Sequence, residues 1–548
     1  MFGVARNALL PRPFDFVLEY SEGTVNALAT LLRQKCPSLA GTNQAWPTRW
    51  LPSGHMQTVW SAVADFTNVD KVEYKRKVIM TPDGGLISLD IAPLALAEPT
   101  EEEAVPTVVI LHGLTGGSYE SYVRNTVAKM VKPKEEGGAG MRCVVVNFRG
   151  CAHTPVTSPQ LYSACKTTDL ECAMLLLTRM FPQSPMLAMG FSLGGAIMTK
   201  FMGEVGKSTP FIGAIAVGAP FELQQTSDCL ESTWVSMVYA YAMGTNLGSM
   251  VRNHADTLAL SPAFWSPLEM MFGTKVDPDP TKPIAMPSFQ KPRKGTLRFV
   301  DHVITRLGGG LPSPYGDFPF ESAEAYYQHS SPLRVIHNVA RPLLALNADD
   351  DPIVSSSTLQ HVVQAIQGNP NVVLARSKCG GHLGWFAGPQ GERWIYHPII
   401  EATQALFTAH DEAKSKPSTG IGSGGPQINP WRVRQVDKKM VQLEVLPRSA
   451  LPSIFESKSE EKNPSPLVWL RTQVLQHIPL LHPNDSPKAE APIEQGDMLT
   501  VPMYTEALHP EVGFAEIPND LAVGGNGTII VGHAPPTMPS SVKQLAGL

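Results

Sequence analysis

Residues 189–195 read "MGFSLGG", with a single serine between Phe191 and Leu193 and glycines at 190, 194 and 195. The pattern G-x-S-x-G marks a strand-to-helix turn tight enough to leave the serine hydroxyl exposed at its apex. The glycines there have a steric task, because side chains would collide with the neighbouring strand and helix. Five-residue matches arise by chance, so the flanks decide the reading. Ahead of the serine, "PMLAMGFS" (185–192) is an apolar run of strand length. Behind it, "LGGAIMTKFMGEVG" (193–206) has helical character and is closed by Gly206. Strand, turn and helix in this order are the context the motif requires.

Similar apolar runs recur on both sides: "TVVILHG" (107–113), "CVVVNFRG" (143–150), "FIGAIAVGAP" (211–220), "RPLLALNADDDP" (341–352) and "NVVLARSKCGGH" (371–382). Continuous hydrophobicity marks strands buried on both faces, and helix-length spacers predict a mostly parallel sheet with helices on both sides. Such sheets collect their chemistry in the loops beyond the C-terminal strand ends. Each of these runs ends in a polar or glycine-rich loop. Upstream, "KRKVIMTPDGGLISLDIAP" (75–93) reads as a hairpin about an Asp-Gly-Gly turn.

The interval between the runs at 211–220 and 341–352 is far longer than one crossover helix needs, and predicts an inserted cap. The organisation read from the sequence is an N-terminal arm (1–70), a first core part (71–221), a cap (222–332), a second core part (333–410) and a tail (411–548). The arm carries the cluster "WPTRWLPSGHMQTVW" (46–60), and the cap is rich in Met and aromatic residues, among them Trp234, Tyr239, Tyr241, Met250, Phe264, Met270 and Met271. The stretch "GTKVDPDPTKPIAMPSFQKPRKG" (273–295) reads as loop. The tail mixes Pro, Ser, Gly and charge without periodicity and is expected to be mostly disordered, with a short helix at "PLVWLRTQVLQHI" (466–478).

Hydrophobic residues form 43% and charged residues 17% of the 548, as in soluble globular proteins. A formal charge of -5 gives no electrostatic reason for a nucleic-acid partner. The seven cysteines (36, 143, 151, 165, 172, 229, 379) are odd in number, scattered and without a C-x-x-C pair. That pattern predicts free thiols in a reducing compartment, with no disulfide framework and no metal site. No stretch of 18 apolar residues is present, so no membrane span is expected. Pro11, Pro13 and Asp15 interrupt the short apolar N-terminus, so no secretory signal is expected. The sequon at Asn526 reads as a chance tripeptide. The default location is cytoplasmic, with contact to a membrane or lipid-droplet surface left open.

A serine hydroxyl becomes a useful nucleophile when a base takes its proton and a third group orients that base. On this architecture the expected chain order is Ser, then Asp or Glu, then His. "LNADDDPIV" (346–354) and "KCGGHLGW" (378–385) supply acids and a histidine at two later strand ends. The roles assigned are Ser192 as nucleophile, His382 as general base and then acid, and an aspartate fixing the imidazole tautomer. Asp349, Asp350 and Asp351 are consecutive and cannot all face the imidazole. Asp351, just before Pro352, is favoured, with Asp350 second. Backbone N–H groups of Leu193 and of Leu114, in "LHGLTGG" (111–117), are the candidate oxyanion donors. His112 reads as a buttress of that loop and Arg149 as a salt-bridging residue, while Thr168 or Asp169 is expected to cap the helix over 167–180. No cofactor is expected.

Taken together, "PSGHMQT" (52–58), "LHGLTGGSYESYVR" (111–124), "NFRGC" (147–151), "GFSLGG" (190–195), "YYQHSS" (326–331), "DDDPIV" (349–354) and "GGHLGW" (380–385) give the chain its family likeness. It resembles the AB hydrolase 4 family of the α/β-hydrolase superfamily over roughly residues 46–410. That family includes fungal medium-chain fatty acid ethyl ester synthase/esterases and plant embryogenesis-associated esterase-like proteins. The resemblance implies an α/β-hydrolase fold and a triad of Ser192, Asp351 and His382. It also implies an esterase or lipase acting on medium-chain fatty acyl esters or monoacylglycerols, a small-molecule lipid ester. An alcohol O-acyltransferase is the nearest alternative, and a catalytically silent interaction protein the rival from another class. For "PSGHMQT" the resemblance implies only packing against the core.

Overall fold

Every residue of the six central strands is buried, which is why those strands read as unbroken apolar runs. The computed structural model describes residues 13–415 apart from 24–25, 44, 82, 84, 99–103, 274, 277–294 and 311–316, and a few short strand segments after 415. The strands are β1 (Phe16–Tyr20), β2 (Val72–Met80), β3 (Leu86–Ala92), β4 (Thr107–Leu111), β5 (Arg142–Asn147), β6 (Met186–Phe191), β7 (Gly213–Val217), β8 (Leu343–Ala348) and β9 (Val372–Ser377). They lie side by side in the order β1-β9-β8-β7-β6-β4-β5-β3-β2. Neighbours from β9 through to β5 are parallel, as expected. The predicted hairpin is β2–β3, which joins the sheet antiparallel to β5.

Side chains alternate across a strand, so a sheet covered on both faces builds two cores. Val109, Leu111, Ala188, Ala214 and Leu343 enter one, and Val108, Ile110, Leu187, Met189, Ile215 and Leu344 the other. Each buried Val, Leu, Ile or Met among them contributes about 1.5–3 kcal/mol. The helices that cover the faces are α1 (Ala27–Lys35), α2 (Gly54–Val63), α3 (Ser121–Val131), α4 (Thr168–Met180), α5 (Leu193–Val205), α6 (Leu223–Glu231), α7 (Trp234–Asn253), α8 (Trp265–Phe272), α9 (Ala323–Ser330), α10 (Ser356–Ala365) and α11 (Tyr396–Ser415). Residues of α4, α5 and α10 pack in the first core, and those of α1, α3 and α11 in the second. Helices α6 to α9 occupy the long interval between β7 and β8.

Three details differ from the sequence reading. Residues 1–70 are more than an arm, because β1 is a strand of the main sheet, antiparallel to β9. It is a five-residue edge strand whose pattern is buried only at Phe16, too short and too exposed to announce itself. The helix α4 is capped by neither Thr168 nor Asp169. Its first flanking residue is Thr167, which makes no capping bond and instead donates to Glu204 Oε2 at 2.7 Å, while Asp169 is taken by an arginine. Finally, α11 continues past residue 410 to Ser415.

Beyond 415 the backbone segment Thr528–Val531 lies antiparallel to β2. Residues 274 and 277–294 of the loop read over 273–295, the helix at 466–478 and the sequon at Asn526 fall outside the described residues. Among the described residues no helix is long and apolar enough to cross a membrane. All seven cysteines are free thiols.

Candidate active site

Ser192 is the single residue between the end of β6 and the start of α5. Its backbone sits at φ 50°, ψ -121°, a conformation that costs a non-glycine residue about 1–3 kcal/mol and persists only where its surroundings impose it. They do so here through Ser192 N, which donates to Val217 O on β7 at 2.8 Å, and through Ser192 O, which accepts from Gly195 N at 2.9 Å. The three glycines are each required by a different neighbour. A Cβ on Gly190 would lie 2.5 Å from Gly194 O, one on Gly194 2.4 Å from Leu111 O, and one on Gly195 2.7 Å from Ala219 Cβ.

The loops after β8 and β9 arrive at the same point. His382 Nε2 is 2.8 Å from Ser192 Oγ, and His382 Nδ1 is 2.7 Å from Asp351 Oδ2. The other Asp351 oxygen accepts backbone N–H groups from Ile353 at 2.7 Å and Val354 at 3.0 Å. Because the carboxylate accepts, the proton of a neutral imidazole lies on Nδ1, and Nε2 presents its lone pair to the serine. Asp351 and His382 are buried, at 4% and 9% exposure, whereas Ser192 is partly open to solvent.

The three aspartates separate cleanly. Asp349 binds Arg376 at 2.6 Å and Lys378 at 2.8 Å. Burial alone would raise its carboxyl, but the bonds from Lys378 and Arg376 hold it below the ordinary range. Asp350 accepts from Gly381 N at 2.9 Å, and burial pushes its carboxyl up to about 6 despite that bond. Only Asp351 of the three reaches the imidazole.

On the other side of the serine runs the loop after β4. A Cβ on Gly113 would lie 3.4 Å from Ser192 Cβ. The loop is pinned on either side of Leu114, by Gly113 N donating to Tyr122 Oη at 2.9 Å and Thr115 N donating to Tyr162 Oη at 2.7 Å. Leu193 is the first residue of α5, where backbone N–H groups have no intrahelical acceptor. Among the described residues, none accepts from Leu114 N or Leu193 N. His112 is fully buried, with Nδ1 2.7 Å from Gly113 O and Nε2 accepting from Phe148 N at 3.2 Å. Burial lowers it to about 4, so it is a neutral brace for this loop. Arg149 is likewise committed, donating to Asp169 at 2.7 Å and to Asp83.

The Met and aromatic residues between β7 and β8 divide into two groups. Met250, Phe264 and Met271 are buried in the core, whereas Trp234, Tyr241 and Met270 are exposed. Tyr239 of α7 lies 2.9 Å from His55 Nδ1 on α2 through its hydroxyl, and burial, with the nearby Asp351 charge, pushes its phenol up to about 12. For a metal, the described residues offer Cys165, Asp317 and His329, whose ligand atoms lie within 4.8 Å of one another. His329 is hydrogen-bonded to Asp317 at 2.9 Å, and this bond with one involving Cys165 pushes it up to about 9.

Sequence reasoning missed the contacts that hold the histidine loop. His382 N donates to Thr58 Oγ1 at 2.8 Å and Phe386 N to Gln57 Oε1 at 3.0 Å. The signal was present in "GHMQT", but nothing local to those residues shows which loop they meet.

A fold with a serine on a strand-to-helix elbow and a hydrogen-bonded histidine and aspartate at later strand ends defines a class. The family described as "alpha/beta hydrolase fold" matches residues 106–389, and the chain belongs to it. Among curated relatives, the chain is 32% identical to monoacylglycerol lipase of Saccharomyces cerevisiae, over 70% of this chain and 85% of that protein. It is 29% identical to phospholipase ABHD3 of Mus musculus, over 66% of this chain and 77% of the relative. Identity to medium-chain fatty acid ethyl ester synthase/esterase 2 of Saccharomyces cerevisiae is 24%, over 69% and 88%.

Proposed function

We propose that this chain is a serine carboxylic-ester hydrolase acting on fatty acyl esters, with monoacylglycerols and medium-chain esters as its substrate class. The observation that carries the reading is the unbroken line Ser192 Oγ–His382 Nε2, His382 Nδ1–Asp351 Oδ2, at 2.8 and 2.7 Å. As an ester carbonyl approaches, His382 Nε2 takes the hydroxyl proton and Ser192 Oγ forms a bond to the carbonyl carbon. Asp351 stabilises the resulting imidazolium. Leu114 N and Leu193 N receive the carbonyl oxygen as it gains charge, worth about 10²–10³ in rate per donor. The tetrahedral intermediate then breaks its bond to the alcohol oxygen, which takes the proton from His382. Water repeats the sequence on the acyl-serine and releases the acid.

The substrate class is supported by the names of the relatives, a lipase, a phospholipase and an ester synthase/esterase. The exposed Met56 and Val59 of α2, and Trp234, Val238 and Tyr241 of α7, support contact with a lipid surface. The two helices are joined by His55 Nδ1 and Tyr239 Oη at 2.9 Å. Free cysteines support a reducing, cytoplasmic location. Acyl transfer to an alcohol is the second reading, favoured by the partial exposure of Ser192, which leaves room for an acceptor other than water. A catalytically silent role is opposed by the intact hydrogen-bonded set.

The test is a chain-length series of p-nitrophenyl and glycerol esters on wild type and Ser192→Ala. Hydrolysis is expected to fall about 10⁴-fold or more in the variant. Equal rates in the two proteins would refute the reading. Product ratios with ethanol or glycerol present separate hydrolysis from transfer.

A further inference from the structure

The motif "PSGHMQT" (52–58) places no side chain in the line from Ser192 to Asp351, yet α2 lies directly against the loop that carries His382. We infer that α2 is the strut that sets this histidine, with Thr58 and Gln57 as positioning residues. The inference rests on the reading of Ser192, His382 and Asp351 as the reacting set.

The loop after β9 is tied to itself at Trp385, whose N donates to Gly380 O at 2.9 Å and whose Nε1 donates to Ser377 Oγ at 2.9 Å. Gly380 and Gly381 have φ of 151° and 59°, and the non-glycine residues Leu383 and Trp385 have φ of 56° and 49°. The buried backbone groups of Gly381, His382, Leu383 and Phe386 take their partners from outside the loop. Left-handed conformations at two bulky residues persist only when neighbouring structure imposes them.

One face of α2 supplies those partners at helical spacing, from positions 54, 57, 58 and 61. Gly54 lies so close to the loop after β8 that a Cβ would come within 2.0 Å of Asp350 O. Thr58 donates its hydroxyl proton to Gly54 O at 2.7 Å, which fixes the rotor and turns a lone pair toward His382 N, 2.8 Å away. Gln57, fully buried, accepts from Phe386 N at 3.0 Å. Ser61 donates to Leu383 O at 3.2 Å. A Cβ on Gly381 would lie 2.4 Å from Gly54 O, and one on Gly384 2.9 Å from Gln57 Cβ, so the loop and helix backbones are in contact.

Asp350, which itself packs against Gly54 of α2, also grips the loop through Gly381 N. The imidazole therefore hangs from a backbone amide whose place is fixed by Thr58. A serine–histidine bond of 2.8 Å leaves little room for error, because a displacement of about 1 Å can cost about 10²-fold in rate.

The experiment uses the full chain and a p-nitrophenyl ester, with kcat expressed per fluorophosphonate-titrated serine and KM measured separately. Thr58→Val keeps the shape and removes the acceptor, and should lower kcat about 10- to 100-fold with KM within about twofold. Thr58→Ser restores the acceptor and should return kcat to within about threefold of wild type. Thr58→Cys, a weak acceptor, should fall between the two and covers the case in which the valine variant does not fold. Wild-type kcat in Thr58→Val, or in Thr58→Cys where the valine form is unfolded, overturns the inference. So does a loss confined to thermal stability. An active Ser192→Ala would instead overturn the underlying triad reading, so the two failures are distinguishable.

Discussion

Ser192 takes its geometry from its chain neighbours and from the strands beside β6, whereas His382 takes its own from a helix 324 residues away in sequence. At the elbow, Gly190, Gly194 and Gly195 clear the space, and the strand-to-helix junction forces the left-handed φ. At the histidine loop, strained residues are held open by bonds to Thr58, Gln57, Ser61 and Asp350. Two halves of one site can thus be encoded differently, one as a local motif and the other as a tertiary contact. The local half should fail by losing the fold, and the tertiary half by losing alignment.

The sharpest way to break this contrast is at adjacent aspartates. Asp351→Asn offers the imidazole a different partner and is expected to lower kcat about 10⁴-fold with the fold intact, as measured by steady-state kinetics beside a thermal melt. Gly194→Val should act through the fold instead. Its Cβ meets Leu111 O at 2.4 Å, and a loss of about 4 kcal/mol or more is expected in denaturant unfolding. Thr58→Val, with its kcat loss at nearly constant KM, is the intermediate case.

The smallest effect belongs to Asp350→Asn, with kcat expected within about tenfold of wild type because an acceptor for Gly381 N is retained. This variant has a pH signature. Asp350 is raised by burial from 3.8 to about 6, so between these values the folded state holds a proton the unfolded state has lost. Stability from this group is therefore full below the lower value and falls as pH rises through the folded pKa. Urea unfolding at several pH values should show Asp350→Asn gaining on wild type from pH 4 to 6. A constant difference would mean that Asp350 is already charged at the low end.

What could be read from the sequence follows the same division. The six central strands were legible because burial on both faces leaves an unbroken apolar run. Ser192, Asp351 and His382 stand in loops at strand ends, and the structure brings those three within hydrogen-bond reach. The choice of Asp351 over Asp350 could not come from spacing. It depends on Arg376 and Lys378 drawing Asp349 aside and on Gly381 occupying Asp350. β1 was missed because an edge strand of five residues shows no clear alternation. Gln57 and Thr58 were visible as residues but silent as function, since their partners lie more than three hundred positions downstream.

The most direct measurement is tandem mass spectrometry of the intact chain after reaction with a fluorophosphonate and proteolysis. A single phosphonyl adduct on the peptide bearing Ser192, absent after denaturation before labelling, is the expected result. An adduct on another residue, or none on a folded protein that still hydrolyses esters, would contradict the placement of the nucleophile at the elbow.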